Sequence, residues 1–258
     1  MPVSRGLYYF ASGGDNYSRP PIVLIHGAGG HHLYWPPQVR RLQEQRVLAL
    51  DLPGHGKSSG TGHQTIEAYA RDVAEFIQSV GLSTAVLVGH SMGGAIALAM
   101  ASAEPTRVLG LGLIATGARL RVAPGLLQAA ADPVSFPEAV ALLGELSFAP
   151  QSSPRLKTLA TARMRETRPS VLYGDFLACD AFDMSARLAD IAAPTVILCG
   201  TEDRMTPPKY SAFLKARIRG AGLDILPDAG HMVMLEKPDE VAARIELFVN
   251  TIRHRPGG

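Results

Sequence analysis

The chain has 258 residues and an apolar fraction of 47%, enough for one large α/β domain or two small ones with a substantial core. Its formal charge of +2 gives no electrostatic footprint for a nucleic-acid partner, and no apolar run reaches the length of a membrane span. Cys179 and Cys199 lie far apart with no His or Cys neighbour in sequence, and read as small buried hydrophobes of a reducing compartment.

In chain order, Leu7 to Phe10 reads as a short strand and Gly13 to Asn16 as a turn. Ile22 to Ile25 is a run of β-favouring residues between Pro20-Pro21 and the glycine-rich His26-Gly27-Ala28-Gly29-Gly30, so a buried strand opens into a flexible loop. Trp35 to Glu44 can form a helix after two prolines. Val47 to Leu50 is the next buried strand and leads into Asp51-Leu52-Pro53-Gly54-His55-Gly56. Thr65 to Val80 places Ile66, Tyr69, Val73, Phe76 and Ile77 at three- and four-residue steps, which specifies an amphipathic helix. Ala85 to Val88 and Val108 to Ala115 are further apolar strands. Up to this point strand and helix alternate, which specifies a mostly parallel sheet with helices on both faces.

Between Thr116 and about Ser185 the alternation stops. Six prolines punctuate short helical runs such as Glu138 to Leu146 and Arg155 to Met164, which reads as a helical insertion. Alternation returns with a strand at Thr195 to Gly200, a helix near Lys209 to Ile218, a strand Asp224 to Leu226 and a last helix from Pro238 to Ile252. The division expected is a core of residues 1–116 and 186–258 carrying the helical insertion at 117–185. The Arg163, Arg165, Arg168 cluster and the Arg253-His254-Arg255 tail read as solvated surface. Met1 to Gly6 lacks an apolar leader core, and a soluble, cytoplasmic protein is expected.

The chemistry gathers at Gly89-His90-Ser91-Met92-Gly93-Gly94, between the strand at Ala85 and an alanine-rich helix. A serine on such an elbow is held in strained backbone angles, and helix and strand approach so closely that the positions two before and two after it must lack a Cβ. Gly89 and Gly93 satisfy that requirement. Gly56-Lys57-Ser58-Ser59-Gly60 matches the same pattern, but turn chemistry flanks it on both sides. Ser91 is therefore the expected nucleophile and Ser58 a loop residue.

A serine hydroxyl needs a base to take its proton, and the base needs a carboxylate to hold its tautomer. Asp203 and His231 each follow a strand at the carboxyl edge of the sheet, and the order Ser91, Asp203, His231 suits a hydrolase built on such a sheet. Glu202 and Asp228 are the rival acids. The amide of Met92 is one oxyanion donor and that of Ala28 the second, unless the glycine-rich loop is only a tight turn. His26, His31 and His32 lack metal-ligand spacing on a helix, so neither metal nor cofactor is expected.

These motifs, together with Gly200 to Pro207 and Gly230-His231 followed by Glu236-Lys237-Pro238, resemble the α/β-hydrolase superfamily over nearly the whole chain. The resemblance implies the α/β-hydrolase fold with a helical cap, the triad and oxyanion roles just given, and a small-molecule ester as substrate. Ser91 at the elbow, where dehalogenases and epoxide hydrolases carry aspartate, implies an acyl-enzyme. Met92, His90 and Met232 depart from the patterns of prolyl iminopeptidases and of carbon-carbon hydrolases. The expected activity is that of a carboxylesterase on short to medium apolar acyl chains, with Phe136, Leu143, Tyr173, Phe176 and Met232 at the substrate. Lactonase, thioesterase and carbon-carbon hydrolase remain alternatives with the same triad, and a non-catalytic ligand receptor is the alternative from another class.

Overall fold

The computed structural model describes residues 2–14 and 19–252. The Asp15-Asn16 half of the first turn and the Arg253 to Arg255 tail lie outside them. In chain order the strands are β1 (Val3–Ser4), β2 (Leu7–Ser12), β3 (Ile22–Ile25), β4 (Val47–Leu50), β5 (Ala85–His90), β6 (Val108–Ile114), β7 (Thr195–Gly200) and β8 (Gly222–Leu226). The helices are α1 (Pro37–Arg40), α2 (Ile66–Ser79), α3 (Met92–Ala103), α4 (Pro124–Ala131), α5 (Phe136–Leu146), α6 (Pro154–Met164), α7 (Pro169–Ala181), α8 (Pro208–Arg217), α9 (Val233–Glu236) and α10 (Pro238–Thr251).

All eight strands form one sheet in the order β1-β2-β4-β3-β5-β6-β7-β8. β1 and β2 are antiparallel, and every pair from β4 to β8 is parallel. The central strands are buried on both faces, which is why they read as unbroken apolar runs rather than alternating ones. Their side chains alternate between two cores. Val23, Ile25, Leu48 and Leu50 pack with α2, α3 and α8, whereas Ile22, Leu24, Val47 and Ala49 pack with residues of α1 and α10. Thr65 caps α2, its hydroxyl accepting from the Ala68 amide at 3.3 Å, and the five apolar residues expected on its inner face are all buried.

The helix expected over Trp35 to Glu44 contracts to α1. Trp35 is buried in the loop before it, the Arg40 side chain turns back to donate to the Trp35 carbonyl at 2.6 Å, and Glu44 adopts a φ of 53°. Four helices, α4 to α7, fill the interval between β6 and β7. Ala130, Phe136, Val140, Leu143, Met164, Leu172 and Phe176 give them an apolar cluster of their own. Cys179 and Cys199 are free, and burial pushes both thiols up from their ordinary value.

Ser91 stands between β5 and α3 with φ 52° and ψ −117°, backbone angles that a non-glycine residue adopts only under strain. Its amide donates to the Ile114 carbonyl at 2.9 Å and its carbonyl accepts from Thr116 Oγ1 at 2.7 Å, so the end of β6 holds the turn. A Cβ on Gly93 would collide with the Ile25 carbonyl, and one on Gly89 with the backbone of Gly93. We therefore expect Gly93→Ala to leave the chain insoluble or to lower its thermal midpoint by well over 10 °C, since the backbone of β3 cannot yield. Gly125→Ala, at an open helical position, should raise stability by roughly 0.5 kcal/mol; thermal melts of the two variants check the contrast.

Candidate active site

Six connections leave the carboxyl edge of the parallel strands, and the candidate catalytic and oxyanion residues sit after β3, β5, β7 and β8. Asp203 follows β7. Its Oδ1 accepts from the amides of Met205 and Thr206 at 2.9 and 2.8 Å, and its Oδ2 accepts from Thr206 Oγ1 at 2.8 Å. His231 follows β8, and its Nδ1 lies 3.0 Å from Asp203 Oδ2. Facing a carboxylate, Nδ1 carries the hydrogen and donates, which leaves Nε2 as the basic nitrogen. Both residues are 3% exposed. Burial, the largest influence on Asp203, works to raise its pKa, but the His231 charge and the donors from His231 and Thr206 outweigh it and hold the carboxyl below its ordinary value.

Ser91 and His231 border the same cavity, about 30 Å³ in volume. The backbone side is formed by Gly27 and Ala28, and the apolar wall by Leu143, Met164, Phe176, Met205 and Met232, with Tyr34, His90 and Ser147 completing the lining. Among the described residues no Lys, Arg, Asp or Glu lines it. The structure thus brings together Ser91, Asp203, His231, Ala28, Leu143, Phe176 and Met232. Phe136 is instead buried in the insertion's own cluster, and Tyr173 packs against that cluster; neither lines the cavity. Met234, two residues beyond Met232, is fully buried in the core beneath.

The Ala28 amide owes its direction to a neighbouring carbonyl. Gly27 O accepts from the Gly30 amide at 3.0 Å and from His26 Nδ1 at 2.8 Å. Because the peptide is trans and planar, the Ala28 N–H points away from these two donors. His26 Nε2 accepts from the Leu52 amide at 3.0 Å, and with one nitrogen donating and the other accepting the ring is neutral. Burial pushes its pKa well down, in agreement. Met92 is the first residue of α3, where the amide has no partner within the helix.

Four positioning residues were not anticipated as such from the sequence. His90 Nε2 donates to the His231 carbonyl at 2.9 Å, and burial takes the His90 pKa down to about 3, so it braces the histidine loop as a neutral ring. Glu236 accepts from the amides of Gly230 and Ala149, both at 2.9 Å, and from the Ser152 hydroxyl, so one carboxylate ties the histidine loop to the insertion. Asp175 on α7 is 0% exposed and accepts from Gly29 N at 2.8 Å, His55 Nε2 at 2.8 Å and Tyr69 Oη at 2.6 Å. His55 Nδ1 faces the Pro53 carbonyl at 3.0 Å; acceptors on both sides make this ring an imidazolium. The rivals hold other posts. Ser58 Oγ donates to the Asp51 carbonyl at 2.6 Å and accepts from the Tyr8 amide at 2.9 Å, while Asp228 is exposed at a turn with φ 56° and Glu202 is exposed.

His31, His32 and Asp51 also cluster, with potential metal-ligand atoms within 4.8 Å of one another. Three N–H donors already point at the Asp51 carboxylate: the His32 amide at 2.6 Å, His32 Nδ1 at 2.8 Å and the Lys57 amide at 2.9 Å. Such a set explains the cluster as the frame of the Asp51 to Gly56 turn. Among the described residues no helix is long and apolar enough to cross a membrane.

A model of the alpha/beta hydrolase family matches residues 22–244, and the chain belongs to that family. It is 32% identical to the lipase LipV of Mycobacterium tuberculosis, over 87% of this chain and 91% of the lipase. An enol-lactonase from Burkholderia xenovorans superposes with a TM-score of 0.89 at 26% identity, covering 96% of this chain and 98% of the lactonase. A thermophilic esterase superposes at 0.82 with 30% identity, covering 95% and 98%. The protein is a hydrolase on the α/β-hydrolase fold.

The buried imidazolium has a consequence for stability. Burial, the largest influence on His55, works to lower its pKa, but the facing Asp175 carboxylate reverses this and the value lies above the ordinary one. A histidine that binds its proton more tightly when folded stabilises fully below the ordinary value of about 6.5, and that contribution fades as pH climbs through the higher folded-state value. Above about pH 6.5 the thermal midpoint should therefore fall more steeply for the wild type than for His55→Gln, which has no proton to lose. Parallel curves in a pH series of thermal melts would rule this out.

Proposed function

We propose that this hydrolase cleaves carboxylic esters of short to medium apolar acyl chains through an acyl-enzyme on Ser91. The observation that carries the reading is the Asp203–His231 pair, closed at 3.0 Å, beside an elbow serine in one apolar cavity. As Ser91 Oγ adds to the ester carbonyl, His231 Nε2 takes its proton and Asp203 steadies the resulting charge. The oxyanion so formed accepts from the amides of Ala28 and Met92. Collapse of the tetrahedral adduct expels the alcohol oxygen, which leaves with the proton from Nε2. Water then adds to the acyl-serine, giving one proton to His231, which returns it to Ser91 Oγ as the acyl–oxygen bond breaks and the free acid departs.

Residues 117–185 act in this scheme as the cap that selects the acyl chain. Leu143, Met164 and Phe176 come from it, and Met205 and Met232 from the core. An uncharged wall suits an apolar acyl group, and each buried methylene contributes about 0.8 kcal/mol. Met164, Met205 and Met232 in the lining are flexible side chains that adapt to the shape of a bound acyl group. A second reading, lactone hydrolysis, is favoured by the likeness to the enol-lactonase, since a lactone is an ester whose alcohol stays tethered to the acyl group.

Asp203→Asn should lower kcat by about 10⁴-fold, because the amide favours the wrong tautomer of His231, whereas Asp228→Asn and Glu202→Gln should stay within about twofold of wild type. Steady-state kinetics on a p-nitrophenyl ester decide it; a crippling Asp228→Asn would move the acid role. Across p-nitrophenyl esters, kcat/KM should rise up to about tenfold from acetate to butanoate and level off by hexanoate. A falling profile, or a lactone of equal size turned over far faster than butanoate, would transfer the assignment to the lactonase reading.

A further inference from the structure

We propose that Asp175, from within the cap, is a positioning residue for the oxyanion loop, so that helix α7 sets the geometry in which the transition state is bound. The proposal rests on the reading of Ala28 as an oxyanion donor. Gly29, the residue after Ala28, makes hydrogen bonds to the insertion through both of its backbone polar groups. Its amide donates to Asp175 Oδ2 at 2.8 Å, and its carbonyl accepts from Thr167 Oγ1 at 2.9 Å. Asp175 fixes the plane of the Ala28–Gly29 peptide, and the two donors on Gly27 O fix the plane before it. Between them they fix both peptide planes that meet at Ala28, which borders the cavity beside Ser91.

A carboxylate is suited to this post for a reason of donor and acceptor count. Three donors converge on Asp175: the Gly29 amide and His55 on Oδ2, and the Tyr69 hydroxyl on Oδ1. Only an ionised acid offers acceptors to all of them, and the His55 imidazolium balances its charge in a site with no water contact. An asparagine must turn its NH₂ group towards one side or the other. Facing Gly29 and His55, it repels the amide it should hold; facing Tyr69, it leaves one neutral carbonyl oxygen between Gly29 and an imidazolium. If the carboxylate served merely to fasten the insertion to the core, its loss would act on stability alone. The anchored atom, however, is the amide beside the oxyanion donor. Its displacement weakens binding of the transition state more than binding of the ground state.

The test compares full-length wild type, Asp175→Asn, Thr167→Val and Arg168→Gln. The Arg168 guanidinium donates to the carbonyls of Gly54 and Gly60, fastening the start of α7 to the core through partners outside the oxyanion loop. A fluorophosphonate probe mapped to Ser91 in the wild type first establishes the nucleophile that the oxyanion reading requires. Asp175→Asn should then lower kcat by about 10- to 100-fold with KM held within about threefold, and should weaken inhibition by a trifluoromethyl ketone in parallel with kcat/KM. Thr167→Val, a milder change that keeps the buried charge pair, should lower kcat several-fold with KM unchanged, and decides the matter if Asp175→Asn fails to fold. Arg168→Gln should lower the thermal midpoint with kcat within about twofold of wild type. If Thr167→Val and any folded Asp175→Asn keep wild-type kcat and ketone affinity, or lose no more than Arg168→Gln, the positioning role is overturned while the esterase reading stands. Absence of label at Ser91 in the wild type overturns both.

Discussion

The first turn of α3 lies hard against the end of β3, and the site depends on that approach. Gly93 abuts the Ile25 carbonyl with no side chain between them, and Gly89 abuts Gly93 in the same way. The contact forces the chain to reverse within one residue, and Ser91 takes the strained angles of that reversal. Strain of this kind persists only where surroundings over-determine it. Here the restraint comes from Ile114 and Thr116 at the end of β6, so three parallel strands cooperate to hold one hydroxyl at their common edge. The neighbouring loops inherit their positions from the same strands.

Around that edge the imidazoles and carboxylates are distinguished by their partners rather than by burial, which is nearly complete for most of them. His26 faces one acceptor and one donor and stays neutral; His55 faces two acceptors and is charged; His90 faces a single carbonyl and is neutral. His231 differs in having a carboxylate on one nitrogen and the cavity beside it. A buried ring with an acceptor at Nδ1 keeps a basic Nε2, and among these four that arrangement with a carboxylate partner adjoins Ser91 only at His231. The chemistry thus follows from the hydrogen-bond partners, with burial making each choice firm.

Much of this was legible in the sequence because it is local. The strand Ile22–Ile25 and the strand Val47–Leu50 have the predicted bounds, since a strand buried on both faces is written as a continuous apolar run between turn residues. The elbow was legible from two glycines at fixed offsets from a serine. Asp203 and His231 were legible from their place after strands, and the structure brings them together at 3.0 Å across 28 positions. Short elements were less visible: α9 has four residues, too few for a period, and α1 lost its second half to a chain that needed to turn at Glu44. Phe136 and Tyr173 carry the same apolar signal as Leu143 and Phe176, and composition cannot say which side of a helix meets a cavity. Asp175 was silent for a different reason. Its partner Gly29 is 146 positions away, and an acidic residue inside a helical run looks like surface until the fold closes over it.

The cavity wall and the proposed reacting groups come from different stretches of the chain, with Leu143, Met164 and Phe176 in the insertion and Ser91, Asp203 and His231 on the sheet edge. A fold divided in this way can drift in what it accepts while conserving how it reacts, because exchanging one apolar wall residue for another leaves the strand ends untouched. Glu236 sets a bound on that freedom. Its two carboxylate oxygens join the amide of Gly230, one residue before the histidine, to the amide of Ala149, just beyond α5. An insertion transplanted from a distant relative would have to bring a backbone donor to that oxygen, or leave a half-buried carboxylate short of a partner next to the histidine it steadies. Individual wall positions are thus interchangeable, whereas the segment that bears them is not a cassette.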